Sequence, residues 1–353
     1  MTPHPSITIS DLAVRLGVSH STISRALAPG AGRRRMSMET RERIVQAAKQ
    51  LGYRPNAVAR NLVSRRTHSI GIIVRHFNDP FYSNMIQEIH VRLTAGHYFG
   101  VFFSARDQKE YLNAVDSLES RRVEGIISVS PRPEERDRIS QVHVPVVYYG
   151  IGSRAESWVG PDHFQGAGLA MAHLLEAGHR KIGFIGRTER QNLRCQGYRS
   201  ALRQNGLPCL EDWIRQSGET QLVKSVGGML QSGYEQMRGL LALKNRPTAV
   251  LCHNDVIAIG AQRAVLEAGL RVPEDMALIG FDALREGAYA AVPLTTVDPQ
   301  LERIVEHLTG SVIQSIERRE TTTKPVQIRI EPALIVREST RGRRNSSPKS
   351  KTV

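Results

Sequence analysis

The sequence predicts a small all-helical N-terminal domain followed by an α/β domain of two doubly wound parallel-sheet lobes. Three observations predict this class. Two short amphipathic patterns flank Gly17 near the start of the chain. From Ser69 onward, apolar strand-like runs alternate with helical patterns, and the alternation starts again after His163. The net charge of +14 comes from the two ends of the chain, whereas the residues between them sum to zero.

The first two helices form the start of the N-terminal domain. Thr8 and Asp11 have the spacing of a capping box for the first helix, Gly17 permits a sharp turn, and Ser19 can cap the second helix. The second helix presents these side chains outward: His20, Ser21, Thr22 and Arg25. This arrangement is typical of a helix-turn-helix, whose second helix reads base edges and phosphates in the major groove. A plain helical hairpin with a solvated polar face is the alternative for this stretch alone.

The distribution of charge favours DNA. Residues 1–68 carry 12 Lys or Arg against 3 Asp or Glu, and residues 341–353 carry 5 Lys or Arg and no acid. A basic head on a neutral body is the pattern expected of a phosphate-binding module attached to a second domain. The tail at 341–353 is predicted to be a solvated, disordered basic end.

Two further segments complete the basic head. A third helix, from Ser37 to Gly52, supplies the apolar stripe that closes a small core. The loop before it contains consecutive arginines around Arg34, which we expect to meet phosphates. A short helix of about two turns is then predicted to begin at Asn56, within residues 54–67, and to fold on DNA, with its leucine, Leu62, able to wedge into the minor groove. An ordinary linker helix docked on a domain is the alternative.

The run GVSHSTISRAL, followed by TRERIVQAAKQLGYRPNAVARNL, resembles the head and hinge of the lac repressor/galactose repressor family of bacterial transcription regulators. The resemblance implies a recognition helix over Ser19–Leu27 and a hinge helix over Asn56–Ser64. His20 occupies a position that varies in the family and helps to set operator choice. With the basic loop, the predicted DNA-binding residues are Thr8, Ser19, His20, Ser21, Thr22, Arg25, Arg34, Asn56, Ala59, Arg60 and Leu62.

The body shows the same resemblance. VGPDHFQGAGLAM, HNDVIAIGAQ and PLTTVDP stand where the family has them, and the implied effector domain is similar to periplasmic sugar-binding proteins. Ligands of doubly wound sheets bind at the carboxyl ends of the strands, so a cleft between two lobes is expected. The predicted organisation has a DNA-reading domain (1–55), a hinge (56–68), an effector-binding and dimerisation body (69–340) and a tail (341–353). Within the body, the expected N-lobe covers about 69–162 and 294–325, and the expected C-lobe covers about 163–293 and 326–340.

The resemblance implies effector contacts at Asp79 and Phe81 in the first lobe and at Arg194, Asn254 and Asp282 in the second. Carboxylate and amide oxygens accept hydroxyl hydrogen bonds, Arg donates in a fork, and an aromatic ring covers an apolar sugar face. Structural alternatives stand beside each role. Asp282 can cap a turn, Asn254 can cap the helix that follows it, and Phe81 can pack in the core.

Two departures from the family bear on the ligand. Arg75 and His76 end the first strand where many relatives have Pro and Asp, and Gly150 ends another strand where some have a carboxylate. The added positive charge motivates the hypothesis of an anionic effector, such as a phosphorylated or acidic sugar, contacted by Arg75. Pairing of Arg75 with a nearby carboxylate is the alternative.

Other features narrow the function class. Cys195, Cys209 and Cys252 lack metal-type spacing and fit free thiols in a reducing compartment. No signal-peptide pattern, membrane-length apolar run, P-loop or nucleophile elbow is present, so we expect a cytoplasmic, nucleoid-associated non-enzyme without cofactor or metal. The sequence thus predicts a homodimeric transcriptional repressor that binds double-stranded operator DNA and a sugar or sugar derivative. The alternative is a transport-type sugar-binding protein without a DNA role.

Overall fold

The computed structural model describes residues 7–27, 36–53, 66–75, 77–217, 226–318 and 324–341. The chain divides into two compact units, Met1–Thr67 and His68–Val353, and each is described by itself. Within the described ranges, no helix is both long and apolar enough to cross a membrane.

The first unit contains three helices. They are α1 (Ile9–Leu16), α2 (His20–Leu27) and α3 (Met38–Gln50). The predicted capping box forms at α1, because the Thr8 hydroxyl accepts from the Asp11 amide and the Asp11 carboxylate accepts from the Thr8 amide. At α2, the Ser19 hydroxyl accepts from the Thr22 amide at 3.2 Å. These caps satisfy amides that a helix start leaves without partners, and they fix where each helix begins.

The core of the first unit is small. Leu12, Ile23 and Ile44 come from the three helices and are fully buried, with small alanines between them. Because one side of α2 is committed to this core, its other side must face solvent. Arg41 of α3 also donates from Nε to the carbonyl of Ala26 at 3.3 Å, which ties α3 to the last turn of α2.

The first lobe of the second unit is a parallel sheet with helices on both faces. Its strands are β1 (Ser69–Val74), β2 (Phe99–Ser104), β3 (Gly125–Val129), β4 (Val146–Tyr149), β5 (Ser157–Pro161) and, from the end of the chain, β11 (Gln327–Ile330). The helices between them are α4 (Pro80–Ala95), α5 (Gln108–Ser120) and α6 (Pro133–Ile139). The strand order is β11-β5-β4-β3-β1-β2, and every neighbouring pair is parallel.

The second lobe repeats this architecture. Its strands are β6 (Ile182–Gly186), β7 (Ile214–Gln216), β8 (Ala249–Cys252), β9 (Ala277–Phe281), β10 (Thr295–Asp298) and β12 (Ala333–Ile335). Its helices are α7 (His163–Glu176), α8 (Leu193–Gln204), α9 (Val226–Leu241), α10 (Asp255–Glu267) and the short α11 (Arg285–Ala288). The order is β12-β10-β9-β8-β6-β7, and only the β10–β12 pair is antiparallel among these strands.

The chain passes between the two lobes at places that differ from the sequence expectation. The segment 294–325 was expected in the first lobe, but β10 joins the second sheet, with Thr296 paired to Gly280. The segment 326–340 was expected in the second lobe, but β11 joins the first sheet, with Ile328 paired to Val159. Helix α12 (Leu301–Arg318) lies between these strands and packs on the first lobe. The alternation of strands and helices predicts that a strand forms. It does not predict which of the two sheets the strand joins, because that depends on hydrogen bonds to strands distant in the sequence.

Helices α9 and α10 of the second lobe touch backbone to backbone. A Cβ atom added at Gly260 would lie 2.0 Å from the carbonyl oxygen of Leu230, and one at Gly233 would lie 2.1 Å from that of Ile257. Each glycine therefore removes the side chain that would separate the two helices. This close approach fixes α10, whose first residue follows Asn254 at the end of the loop from β8.

Substitution of Gly260 by Ala should therefore destabilise the second lobe. The added methyl group meets a backbone carbonyl rather than a flexible side chain, so we expect a loss of about 3 kcal/mol in the free energy of unfolding. Gly310, also inside a helix, has nothing within 4 Å of its added Cβ. Gly310→Ala should raise stability by roughly 0.5–1 kcal/mol through helix propensity alone. Urea unfolding measures both, and equal stability of the two variants would contradict the close contact.

Candidate nucleic-acid interface and ligand cleft

Helix α2 presents a polar face to solvent. His20, Ser21 and Arg25 are exposed, while Ile23 and Ala26 on the opposite side are buried. His20, Ser21 and Arg25 face outward as expected because the helix buries only its i, i+3 stripe, whereas Thr22 is half-buried. The exposed face combines small hydroxyl groups with a guanidinium, which is the chemistry that recognises phosphates and guanine edges.

Hydrogen bonds order the start of this face. The Ser19 hydroxyl lies 2.8 Å from the Ser21 hydroxyl and 2.9 Å from the Thr22 hydroxyl. Arg25 donates from Nε to the carbonyl of Ser21 at 3.2 Å, which directs its side chain toward the N-terminal end of α2. Thr8 also occupies its hydroxyl, in the capping box of α1. The other residues expected to bind DNA lie outside the described residues: Arg34, Asn56, Ala59, Arg60 and Leu62.

A cavity of about 350 Å³ lies where the carboxyl ends of the two sheets face each other. The first lobe lines it with residues that follow β1 and β3 and with the last residue of β4. The second lobe lines it with residues that follow β6, β8 and β9 and with the first residue of α7. The lining residues are Asp79, Phe81, Tyr82, Ser130, Tyr149, His163, Arg187, Glu189, Gln191, Asn192, Leu193, Arg194, His253, Asn254 and Asp282. All the residues expected to bind an effector are among them, except Arg75.

Arg194, in the first turn of α8, is the most engaged side chain of the cleft. Its Nη2 lies 2.9 Å from Oδ1 of Asp282, and its Nη1 donates to the carbonyl of His253. The guanidinium carbon also lies 3.8 Å from the centroid of the Phe281 ring. An ion pair, a backbone hydrogen bond and a cation–π contact together fix the position of this guanidinium.

The backbone at Asp282 is held in an uncommon conformation. Its φ angle is 101°, a region that side-chain-bearing residues rarely adopt. Asp255, fully buried, holds the following residues, because its Oδ2 accepts from the Leu284 amide at 2.7 Å and its Oδ1 accepts from the Thr296 hydroxyl at 2.6 Å. Burial raises the pKa of Asp255 to about 8. Gly280 makes room for this carboxyl, since an added Cβ would lie 2.0 Å from Oδ1. The strain at Asp282 is therefore supported by a buried network.

Asp79 faces the cleft from the first lobe. Its Oδ1 caps α4 by accepting from the amides of Phe81 at 2.9 Å and Tyr82 at 3.4 Å. Burial and the negative charge of Asp282 raise the pKa of Asp79 to about 6, against the lowering effect of these hydrogen bonds and of Arg194. The two carboxylates, one from each lobe, therefore repel each other across the cleft.

Phe81 and Asn254 combine structural and cleft-lining positions. Phe81 is 6% exposed, and its ring centroid lies 5.7 Å from that of Tyr82 and 6.1 Å from that of Tyr149. Asn254 caps α10, because its Oδ1 accepts from the Ile257 amide at 2.9 Å. Both structural alternatives are thus present, and both residues still line the cavity. Asp282 differs, since its carboxylate pairs with Arg194.

Arg75 does not line the cavity. Its guanidinium pairs with Glu135, which is fully buried at the start of α6, and donates from Nη1 to the carbonyl of Ala105 at 3.4 Å. A buried carboxylate needs a partner, and Arg75 supplies it. The structure therefore shows the alternative given for Arg75, pairing with a nearby carboxylate, and Arg75 lends no support to an anionic effector.

Sequence reasoning missed several cleft residues. Ser130 and Tyr149 stand at the carboxyl ends of β3 and β4, so the strand-end rule that singled out Asp79 could have found them. His253 follows β8 directly, so the same rule could have found it, and His163 lies two residues after the end of β5. Burial, and to a lesser extent the charge of Arg194, lowers the pKa of both histidines well below the usual range, so both are neutral. His, Cys, Asp and Glu form no metal-holding group of three within the described part of the chain.

Comparison with known proteins identifies both units. Residues 8–56 match the family model described as bacterial regulatory proteins, lacI family, and residues 171–340 match that of the periplasmic binding protein-like domain. The HTH-type transcriptional repressor PurR of Haemophilus influenzae is 32% identical, over 94% of this chain and 98% of its own. The repressor of the same name from Mannheimia succiniciproducens is 31% identical, over 94% and 98%.

Solved structures give the same result. The lac repressor dimer bound to operator and the anti-inducer ONPF has a TM-score of 0.81 and 25% identity, covering 95% of this chain and 99% of its own. A complex of the transcriptional regulator CelR with cellobiose has a TM-score of 0.67 and 28% identity, covering 94% and 99%. This chain therefore belongs to the LacI family of bacterial regulatory proteins, as a DNA-binding transcriptional regulator with a helix-turn-helix head and a periplasmic-binding-protein-like body.

Proposed function

We propose that this protein is a repressor that binds operator DNA as a homodimer and that a small sugar-like effector in the cleft controls its affinity for the operator. The observation that carries the proposal is the pairing of a polar, basic reading helix with a cavity lined from two lobes. Operators with two-fold symmetry match a dimer of such heads. The relatives named as repressors support the direction of regulation.

The exposed face of α2 supports the DNA role. We assign base and phosphate contact to Ser19, His20, Ser21, Thr22 and Arg25, with Thr8 positioned at the start of α1. The loop at Arg34 and the hinge at Asn56–Ser64, including Ala59, Arg60 and Leu62, are assigned from the family resemblance alone. On this proposal, residues 1–55 read the operator, residues 56–68 connect, and residues 69–340 sense the effector.

The chemistry of the cleft supports a polyhydroxylated effector. Carboxylates at Asp79 and Asp282, the guanidinium of Arg194 and the hydroxyls of Ser130 and Tyr149 can all hydrogen-bond a sugar. Nδ1 of His253 is buried and has no hydrogen-bond partner among the described residues, so it is a further candidate for a ligand hydroxyl. With Arg75 paired to Glu135, the charges give no support to an anionic effector.

The proposed mechanism follows from the two-lobed cavity. An effector that touches both lobes favours the relative angle at which its contacts are best, and so shifts the population of body conformations. The hinge transmits this shift to the head. A transport-type sugar-binding protein is the alternative, and the basic head with its helix-turn-helix disfavours it.

Fluorescence anisotropy with labelled DNA from upstream of the gene for this protein tests the whole proposal. The protein should bind that DNA more tightly than a scrambled duplex, and at least one sugar from a thermal-shift screen should change this affinity. A protein that binds neither duplex at low salt, or whose operator affinity responds to none of the sugars that bind, contradicts it.

Arg25→Ala should weaken binding to the operator by about 1–3 kcal/mol and binding to scrambled DNA by less, because Arg25 reaches base edges as well as phosphates. Arg15→Ala is the matched control, since Arg15 is exposed on α1 and its loss removes the same charge from the head. Anisotropy against both duplexes measures the effect. Equal losses on operator and scrambled DNA in Arg25→Ala would contradict base contact.

Asp282→Asn should weaken sugar binding by about tenfold or more, because hydrogen bonds to a charged group contribute about 1.5–3 kcal/mol. Operator binding without ligand should persist. Asp275→Asn is the matched control, since Asp275 pairs with Arg271 away from the cavity. Isothermal titration with the sugar found in the screen measures the change. If both variants bind that sugar as well as the unchanged protein, Asp282 is not an effector contact.

A further inference from the structure

The charges that line the cleft do not balance. Carboxylates are present at Asp79, Glu189 and Asp282, and guanidinium groups at Arg187 and Arg194. Arg194 pairs with Asp282, and Nε of Arg187 lies 3.4 Å from Oε2 of Glu189. No ion pair joins Asp79 to any residue that the structure describes. Among the described residues that line the cavity, one negative charge is therefore left without an ion pair, and it belongs to the first lobe.

The other titratable groups around Asp79 do not supply the missing positive charge. His163 and His253 are neutral because burial lowers their pKa values. Burial and the charge of Asp79 raise the pKa of Tyr82, and burial raises that of Tyr149, so both phenols are neutral as well. Arg194 lies in range, but its guanidinium is already held by Asp282 and the carbonyl of His253. With its pKa raised to about 6, Asp79 is mostly ionised at neutral pH.

The walls beside Asp79 are aromatic. Phe81 and Tyr82 lie two and three residues after it, in the first turn of α4, and the ring centroids of Tyr82 and Tyr149 lie 6.5 Å apart. Such rings accept both the apolar face of a sugar and a nearby cation. The volume of about 350 Å³ is at the small end for ligand pockets, which range from about 300 to 1,000 Å³.

Building on the function proposed above, we propose that the effector is an amino sugar whose protonated amine binds Asp79 of the first lobe, close to Asp282 of the second. Its hydroxyl groups then face Arg194 and the polar atoms of the second lobe. The amine supplies the positive charge that the protein leaves out, and a half-buried carboxylate with a cation beside it no longer bears its full desolvation cost. A neutral sugar would satisfy the hydrogen bonds but not the charge.

Binding of this ligand should depend on pH. A cation stabilises the ionised form of Asp79, so it lowers the pKa of that carboxyl and releases protons on binding. Affinity should therefore be highest between pH 6 and the pKa of the ligand amine. It should fall as the pH drops below 6, where Asp79 is protonated in the free protein, and fall again at higher pH, where the amine loses its proton. The other titratable or charged groups of the cleft near Asp79 are Asp282, Arg194, Tyr82, Tyr149, His163 and His253. Burial also raises the pKa of Asp282, whereas the charge and hydrogen bond of Arg194 lower it. Loss of the pH dependence in Asp79→Asn therefore assigns it to Asp79.

Isothermal titration of the full-length protein with matched sugars tests the proposal. Glucose, glucosamine and N-acetylglucosamine share one ring and differ only in the group at one carbon, and the galactose and mannose series provide two further sets. At neutral pH the amine in at least one set should bind about tenfold more tightly than its neutral partners. Asp79→Asn should remove this preference, because an Asn still caps the helix but carries no charge. Asp107→Asn, a matched change at the cap of α5, should keep it.

The outcomes separate the two proposals. Neutral sugars that bind as tightly as their amines, an amine preference that survives in Asp79→Asn, or a panel in which no amino sugar binds would each overturn the amino-sugar inference. If a neutral sugar nevertheless changes operator affinity, the proposed function stands without it. If an amino sugar binds as expected but leaves operator affinity unchanged, the ligand inference holds and the regulatory proposal fails.

Discussion

The buried ion pair between Arg194 and Asp282 is the constraint on which the second-lobe side of the cleft depends. The two opposite charges are stable there because the guanidinium also donates a hydrogen bond to a backbone carbonyl and packs on the ring of Phe281. The strained backbone at Asp282 is held by Asp255, which accepts a hydrogen bond from the Leu284 amide. Loss of one member of such a pair typically costs about 3–5 kcal/mol, since it strands the other charge. The second-lobe side of the cleft is therefore held in place by the core behind it.

Local chemistry made much of the fold predictable from the sequence. Thr8 and Asp11 form the capping box that their spacing predicts, and Asn254 begins its helix where the polar residue after an apolar run indicates a cap. Such interactions span only a few residues, so the order of residue types contains them. The alternation of strands and helices likewise predicts two doubly wound lobes, and the family comparisons agree with that class.

Interactions between distant parts of the chain were harder to predict. Nothing near Arg75 indicates that its partner is Glu135, and the edge positions of β10 and β11 depend on hydrogen bonds to strands far away in sequence. Helix α9 begins at Val226, although two glycines follow at once. Its contact with α10 through Gly233 overrides their low helix propensity. For these features, tertiary packing decided what local preference could not.

The threefold passage of the chain between the lobes has a consequence for how the body is made. The chain leaves the first sheet after β5, returns through α12 and β11, and ends in the second sheet at β12. A nascent chain released only as far as Asp162 therefore lacks an edge strand and a covering helix of its first lobe. The lobe synthesised first can be completed only after most of the second has emerged from the ribosome, so the two cannot mature one after the other as independent modules.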